Sequence, residues 1–280
     1  MVDVSGSLHR RGGDFAPPLD EDGDVYRRRI LVRSVDAQTV VSELEDDFHH
    51  FIVTLRHDGR RVTAVTNESH RWPWATCPAA GAHLDHLAGM ALTTRFTAAA
   101  RYTSAHENCT HQFDAASHAV THAAWGRSVR QYDVEVAALL RAEGPRRNRL
   151  WVDGTLALDW LLQAGRGPVE PLPVPYGDAP WKGGFMRWAD DALDPETAET
   201  AIVLRRACDI GMGRGMPLDD IAVATELLPG MHGVCYSMQP DIAPDGVRNS
   251  GSIRDFAGHP ELLCTPPETP RPRILATTLQ

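Results

Sequence analysis

Residues 1–24 are polar, rich in Gly, Pro and Asp, and without period, so they read as a mobile arm. From Arg27 the pattern changes to four short runs of apolar and β-branched residues, 27–32, 38–46, 51–56 and 61–66. Asp58-Gly59, between the last two, is the strongest short-range hairpin signal. This spacing predicts a small antiparallel meander. After Pro73 the period lengthens: Ala82, Leu84, Leu87, Ala88, Met90 and Ala91 fit one face of an amphipathic helix over 78–94, with Cys77 as its cap and Pro78 in its first turn. A second helix is expected from 108 to 125. Strand-like runs return at 132–140 and 150–160, followed by a Gly- and Pro-dense stretch, 165–184, that reads as a loop or lid. Asp194-Pro195-Glu196 supplies an N-cap, an early proline and a first-turn acid for a third helix to about Cys208, ended by Gly211 and Gly213, and a short helix is expected near 218–228.

The 280 residues suffice for one large domain or two small ones, and no apolar stretch approaches the roughly 18 residues of a membrane span. With 28 Lys and Arg against 37 Asp and Glu the net charge is −9, which disfavours phosphate backbones. No nucleic acid and no membrane are therefore expected as partners. The first residues lack a basic segment leading into an apolar one, so a cytoplasmic location is expected. Five cysteines, odd and sparse, then read as thiols or ligands rather than as a disulfide framework. Lys182, the single lysine, lies in a loop-like Trp-Lys-Gly-Gly setting that gives no reason to expect a Schiff base.

The second helix carries His111, Asp114, His118 and His122. At about 100° per residue its histidines form one stripe, and only His118 and His122 have the usual i, i+4 ligand spacing. A polar helix face explains those two. Cys77 and Cys109 each stand at a predicted helix start, where unsatisfied N–H groups favour thiolate, the form that binds metal.

The stretch from about Arg27 to Trp125 resembles the bacterial family catalogued as domain of unknown function 2889. The resemblance rests on His49 before Phe51-Ile-Val-Thr-Leu55, Pro73-Trp-Ala-Thr-Cys77, Leu87-Ala-Gly-Met90 and Asn108-Cys-Thr-His111. The chain has Asn108 and Gln112 where the family usually reads Gly-Cys-Thr-His-Leu. A fainter similarity links it to U-type iron–sulfur scaffold proteins, which place one ligand before the second strand and cysteines at the starts of two helices. That pattern implies His49, Cys77 and Cys109 as a metal site, with imidazole replacing the first thiolate. His50 is the alternative, because neighbouring residues leave a strand on opposite faces.

Two thiolates and one imidazole around a divalent ion, zinc or iron, make a neutral set with an open position, a ligand combination used by catalytic zinc. The expectation is thus an α+β fold, with a scaffold-like meander packed with helices and a C-terminal α+β extension. Its parts are an arm (1–24), a metal-binding domain (25–126), a pocket-completing region (127–264) and a tail (265–280). The expected function is a metal-dependent enzyme, a lyase of decarboxylase, retro-aldol or hydratase type, acting on a small, largely apolar carbonyl or carboxylate compound. His111 and Asp114 would serve as catalytic groups or orient a ligand, and Arg187 and Trp188 would bind substrate. The alternatives are a metal-dependent hydrolase and a non-catalytic metal or iron–sulfur handling protein. A small-molecule substrate is the expected partner, and a homo-oligomer is left open.

Overall fold

The computed structural model describes residue 17 and residues 24–138, 144–163, 167–227 and 230–266; most of the expected arm and tail, and the last two residues of the expected strand 132–140, lie outside them. The fold is α+β. Four strands, β1 (Val25–Asp36), β2 (Thr39–Asp46), β3 (His50–His57) and β4 (Val62–Arg71), form the expected meander. Asp58 makes its last turn: Oδ1 accepts from Arg60 N and Arg61 N at 2.8 and 2.7 Å, and Gly59 takes a φ of 89°. After helix α1 (Thr110–Trp125) the chain returns as β5 (Val129–Ala137), antiparallel to β1, and continues through β6 (Arg146–Val152), β7 (Thr155–Gln163) and β8 (Gly167–Pro168). One antiparallel eight-stranded sheet results, in the order β4-β3-β2-β1-β5-β6-β7-β8, running without a break across position 126.

Three expected elements take a different form. The run 150–160 is not one strand but the hairpin of β6 and β7, turning at Asp153-Gly154, whose φ values are 49° and 84°. Here both residues take positive φ, whereas at Asp58-Gly59 only the glycine does and the Asp58 carboxylate caps the turn. The helix expected over 78–94 is a 3-10 run, Cys77–Leu87, with Thr76 rather than Cys77 in the capping position. Its second half is extended instead: Val62 N donates to Met90 O and Gly89 N to Val62 O, both at 2.8 Å, so pairing with β4 replaces helical bonds. The short helix near 218–228 is two 3-10 turns, Leu218–Asp220 and Ala224–Leu227. By contrast α3 (Pro195–Gly211) follows its signals closely, with Asp194 Oδ1 accepting from Glu196 N and Thr197 N. A further helix, α2 (Phe185–Ala192), precedes it.

The sheet is covered on both faces, which explains why the first eight residues of β1, among them three consecutive arginines, are all buried. On the front face, Tyr26, Ile30, Val32, Leu44, Val53 and Leu55 pack beneath α1, and Tyr132, Val134, Leu150 and Trp160 continue the core toward α3. The back face carries Arg27, Arg29, Glu45, Asp133 and Glu135, crossed by the segment 252–264. No helix among the described residues is long and apolar enough to cross a membrane.

Candidate metal centre

The turn between β2 and β3 is organised by one carboxylate. Asp46 Oδ1 accepts from Phe48 N and His49 N, both at 2.8 Å, and meets His49 Nδ1 at 3.1 Å. Oδ2 accepts from Tyr26 Oη at 2.6 Å and Arg28 Nη2 at 3.0 Å. His111, in the first turn of α1, places Nε2 2.9 Å from Arg28 Nη2 and 3.2 Å from Asp46 Oδ2, and its ring stacks on His49 at 3.5 Å between centroids. Burial lowers the pKa of both imidazoles, to about 3 for His111; at Asp46 burial acts upward, but the contacts with His49 and His111 outweigh it and hold the carboxyl well below the usual carboxylate range. The centre therefore joins an ionised Asp46 and a charged Arg28 to two neutral imidazoles.

Among the described residues, Asp46, His49 and His111 form the one set of three candidate ligands whose atoms all lie within 4.8 Å of each other. Their hydrogen bonding decides how such a set can act. Asp46 already accepts five hydrogen bonds, which use both oxygens, and the Arg28 guanidinium lies against both Oδ2 and His111 Nε2. As a direct ligand Asp46 fits poorly. As the group that orients His49 it fits well, since Nδ1 faces the carboxylate and Nε2 makes no hydrogen bond among the described residues.

Cys77 and Cys109 lie in an adjoining apolar cluster with Phe51, Trp74, Ala80 and Met238, against which Cys235 also packs. Phe51 links the two groups, its ring lying 6.0 Å from His49 and 6.5 Å from His111. Cys109 is the N-cap of α1, without a side-chain capping hydrogen bond, and it faces the backbone N–H groups of His111 and Gln112. The thiolate expected at a helix start is not the resting form, however. Burial pushes Cys77 up to about 12 and Cys109 well above the ordinary thiol value, outweighing those N–H groups. Both are buried thiols, of a kind that ionises when a metal displaces the proton.

The other expected site residues are dispersed. His50 is turned to the back face, 2.9 Å from Glu43 Oε1. Asp114 is buried on α1 and meets Arg206 of α3 at 3.4 Å, a bridge between helices. His118 bonds Glu199 at 2.6 Å, and His122 is buried on the same helix. Arg187 and Trp188 stand on α2, with Arg187 exposed and Trp188 packed on Phe185, in contact with α3 and the turn Phe96–Arg101 rather than with Asp46 or the cysteines. Elsewhere in the C-terminal half, Trp160 is core, Arg205 covers Trp181 and Arg214 is held by Asp24, Asp47 and Asp255.

Sequence reasoning passed over Asp46, Arg28, Tyr26 and Cys235. Asp46-Asp47 directly before Phe48-His49 was the available signal, since a turn aspartate bonds backbone N–H groups two and three residues on. Cys235 offered none, because nothing in the Gly-Val-Cys-Tyr run marks a helical turn.

No curated protein and no solved structure matches the chain. Residues 29–124, spanning β1 to the end of α1 and including Asp46, His49, Cys77, Cys109 and His111, match the family described as "Protein of unknown function (DUF2889)".

Proposed function

We propose that the protein is a metal-dependent enzyme, of lyase or hydrolase type, whose divalent ion, zinc or iron, is held where β3 meets the first turn of α1. The ligands in this reading are His49 through Nε2 and the thiolates of Cys77 and Cys109. The observation that carries it is the Asp46–His49 pair, because a metal-binding imidazole typically turns its other nitrogen to a carboxylate. The ligand set is neutral overall and leaves a position open. When bound, such an ion polarises a carbonyl or activates water. Asp46 fixes the His49 ring, His111 offers a neutral imidazole for proton transfer, and the ring of Phe51 suits a small, largely apolar carbonyl or carboxylate compound. Protein purified anaerobically and without chelators should carry about one zinc or iron per chain; elemental analysis finding neither metal would end this reading.

A second reading, non-catalytic metal or iron–sulfur handling, is favoured by the position of the described groove. That groove, about 410 Å³ and lined by Pro168, Leu172, Tyr176 and Trp181, lies beside β8, at the sheet edge opposite β3 and β4. The scaffold-like order of meander, His49, Cys77 and Cys109 supports the same reading. Reconstitution with iron and sulfide separates the two: the visible absorption of a [2Fe–2S] centre, passed on to an apo-ferredoxin, would replace the enzyme by a carrier.

A further inference from the structure

A third thiol stands beside the two already described. Tyr236 N donates to Asn108 O at 3.0 Å, which ties the residue after Cys235 to the residue before Cys109. Ser237 Oγ lies 3.4 Å from Cys77 Sγ and accepts from Thr76 Oγ1 at 2.8 Å, so the same short turn also meets Cys77. Cys235 also packs against the apolar cluster that holds Cys77 and Cys109.

Gln112 gives an independent indication. Its side chain is wholly buried, Nε2 donates to Cys77 O at 3.1 Å, and Oε1 has no hydrogen-bond partner. A buried acceptor beside two cysteines lacks a donor that an ion or its bound water would provide.

We infer that Cys235 is a third sulfur ligand of the metal site, which therefore selects a soft-accepting ion such as zinc or ferrous iron over magnesium or calcium. This rests on the metal reading of Cys77 and Cys109 given above. Three thiolates with His49 would fill all four positions, so a Cys235 ligand belongs with the non-catalytic metal reading rather than with the open position of the enzyme reading. No three of His49, Cys77, Cys109 and Cys235 have their ligand atoms all within 4.8 Å of one another, so binding requires these side chains to close on the ion, among them Cys235, the one cysteine of the three that is only half-buried. The three thiol protons pass to solvent as the metal–sulfur bonds form.

Cobalt titration of the full chain, reduced and freed of metal by chelator, tests this. The thiolate-to-cobalt band should fall by about one third in Cys235→Ala, and cobalt affinity should weaken at least ~10-fold. Cys208→Ala, on α3 and outside the cluster, should alter neither. X-ray absorption of the zinc-loaded wild-type chain counts sulfurs without any variant, and three at about 2.3 Å are expected. Cobalt bound with two sulfurs, unchanged in Cys235→Ala, would overturn the role of Cys235 and leave the two-thiol site standing. No cobalt–thiolate band in the wild type would overturn both.

Discussion

Alternate residues of β1 serve two charged layers built on different plans. In front, a single carboxylate, Asp46, gathers Tyr26, Arg28, His49 and two backbone N–H groups. Behind, charges are paired across the sheet: Arg27 with Glu135 at 2.8 Å and Arg29 with Asp133 at 2.7 Å. Donors left over on that side reach the carbonyls of Ala257 and Leu263, so a segment whose one regular element is the 3-10 turn Pro260–Leu262 becomes the lid of a charged face. The front layer is centred on one residue; the back layer spreads its charge over several pairs. Concentration of this kind suits a site that must hold one imidazole in one orientation, and distribution suits a scaffold.

The sharpest way to break the contrast is Asp46→Ala. It strands Arg28 and both turn N–H groups in the interior, and a loss of about 3–5 kcal/mol in urea unfolding is expected, with His49 released from its orientation. Asp46→Asn retains one acceptor oxygen and should lose less. A loss under about 1 kcal/mol for Asp46→Ala would show that the front layer is not centred there.

The back layer should behave differently under double substitution. Arg29→Met alone leaves Asp133 buried without its cation and should cost about 3 kcal/mol. Pairing it with Asp133→Leu should recover most of that, to within about 1 kcal/mol of the parent, because apolar residues replace a buried ion pair with little loss. Failure of the double variant to recover would mean that the bond from Arg29 to Leu263 O, which anchors the lid, matters more than the pair.

The sequence made the meander, α1 and α3 legible because each had a local cause: alternating β-branched runs, an Asp-Gly turn, or an Asp-Pro-Glu cap. The scaffold of the site was visible for the same reason, since His49, Cys77 and Cys109 stand next to element boundaries. What escaped was non-local. Met90 and Ala91 have helical spacing but pair with β4, and that partner is invisible in a window of neighbours. Three arginines in a row carry no local sign of burial, because β5 and the segment 252–264 supply their acids and carbonyls. Cys235 is brought toward Cys77 and Cys109 by non-local contacts, the bond from Tyr236 N to Asn108 O and the contact of Ser237 with Cys77.

A smaller effect comes from His122, buried on α1 at the margin of the front layer. Burial, with Arg127 nearby, lowers its pKa to about 4 from an ordinary 6.5. A depressed imidazole is neutral in the fold, so its contribution is intact above pH 6.5 and declines as pH falls toward 4, where the unfolded chain binds the extra proton. About 1–3 kcal/mol should be lost across that window. In His122→Gln this part of the pH dependence should flatten; an unchanged slope would assign it to other groups.

The smallest effect isolates burial itself. Asp194 caps α3 much as Asp46 caps its turn, with Oδ1 accepting from Glu196 N and Thr197 N, each at 3.1 Å, but it is exposed. Water can replace the carboxylate on those N–H groups, so Asp194→Ala should cost only about 1 kcal/mol. These bonds, led by those to Thr197, lower the Asp194 pKa, and its stabilisation is therefore present above the ordinary carboxylate range and lost as pH falls through the depressed value. Urea unfolding of Asp194→Ala and Asp46→Ala in parallel at pH 7 compares two carboxylates that both accept from two backbone N–H groups. Asp46 differs in being buried and in also binding Arg28, Tyr26 and His49, so a ratio of about three or more in their costs is expected. Equal costs would mean that the turn bonds alone account for Asp46, and that the buried cation and imidazoles around it add nothing.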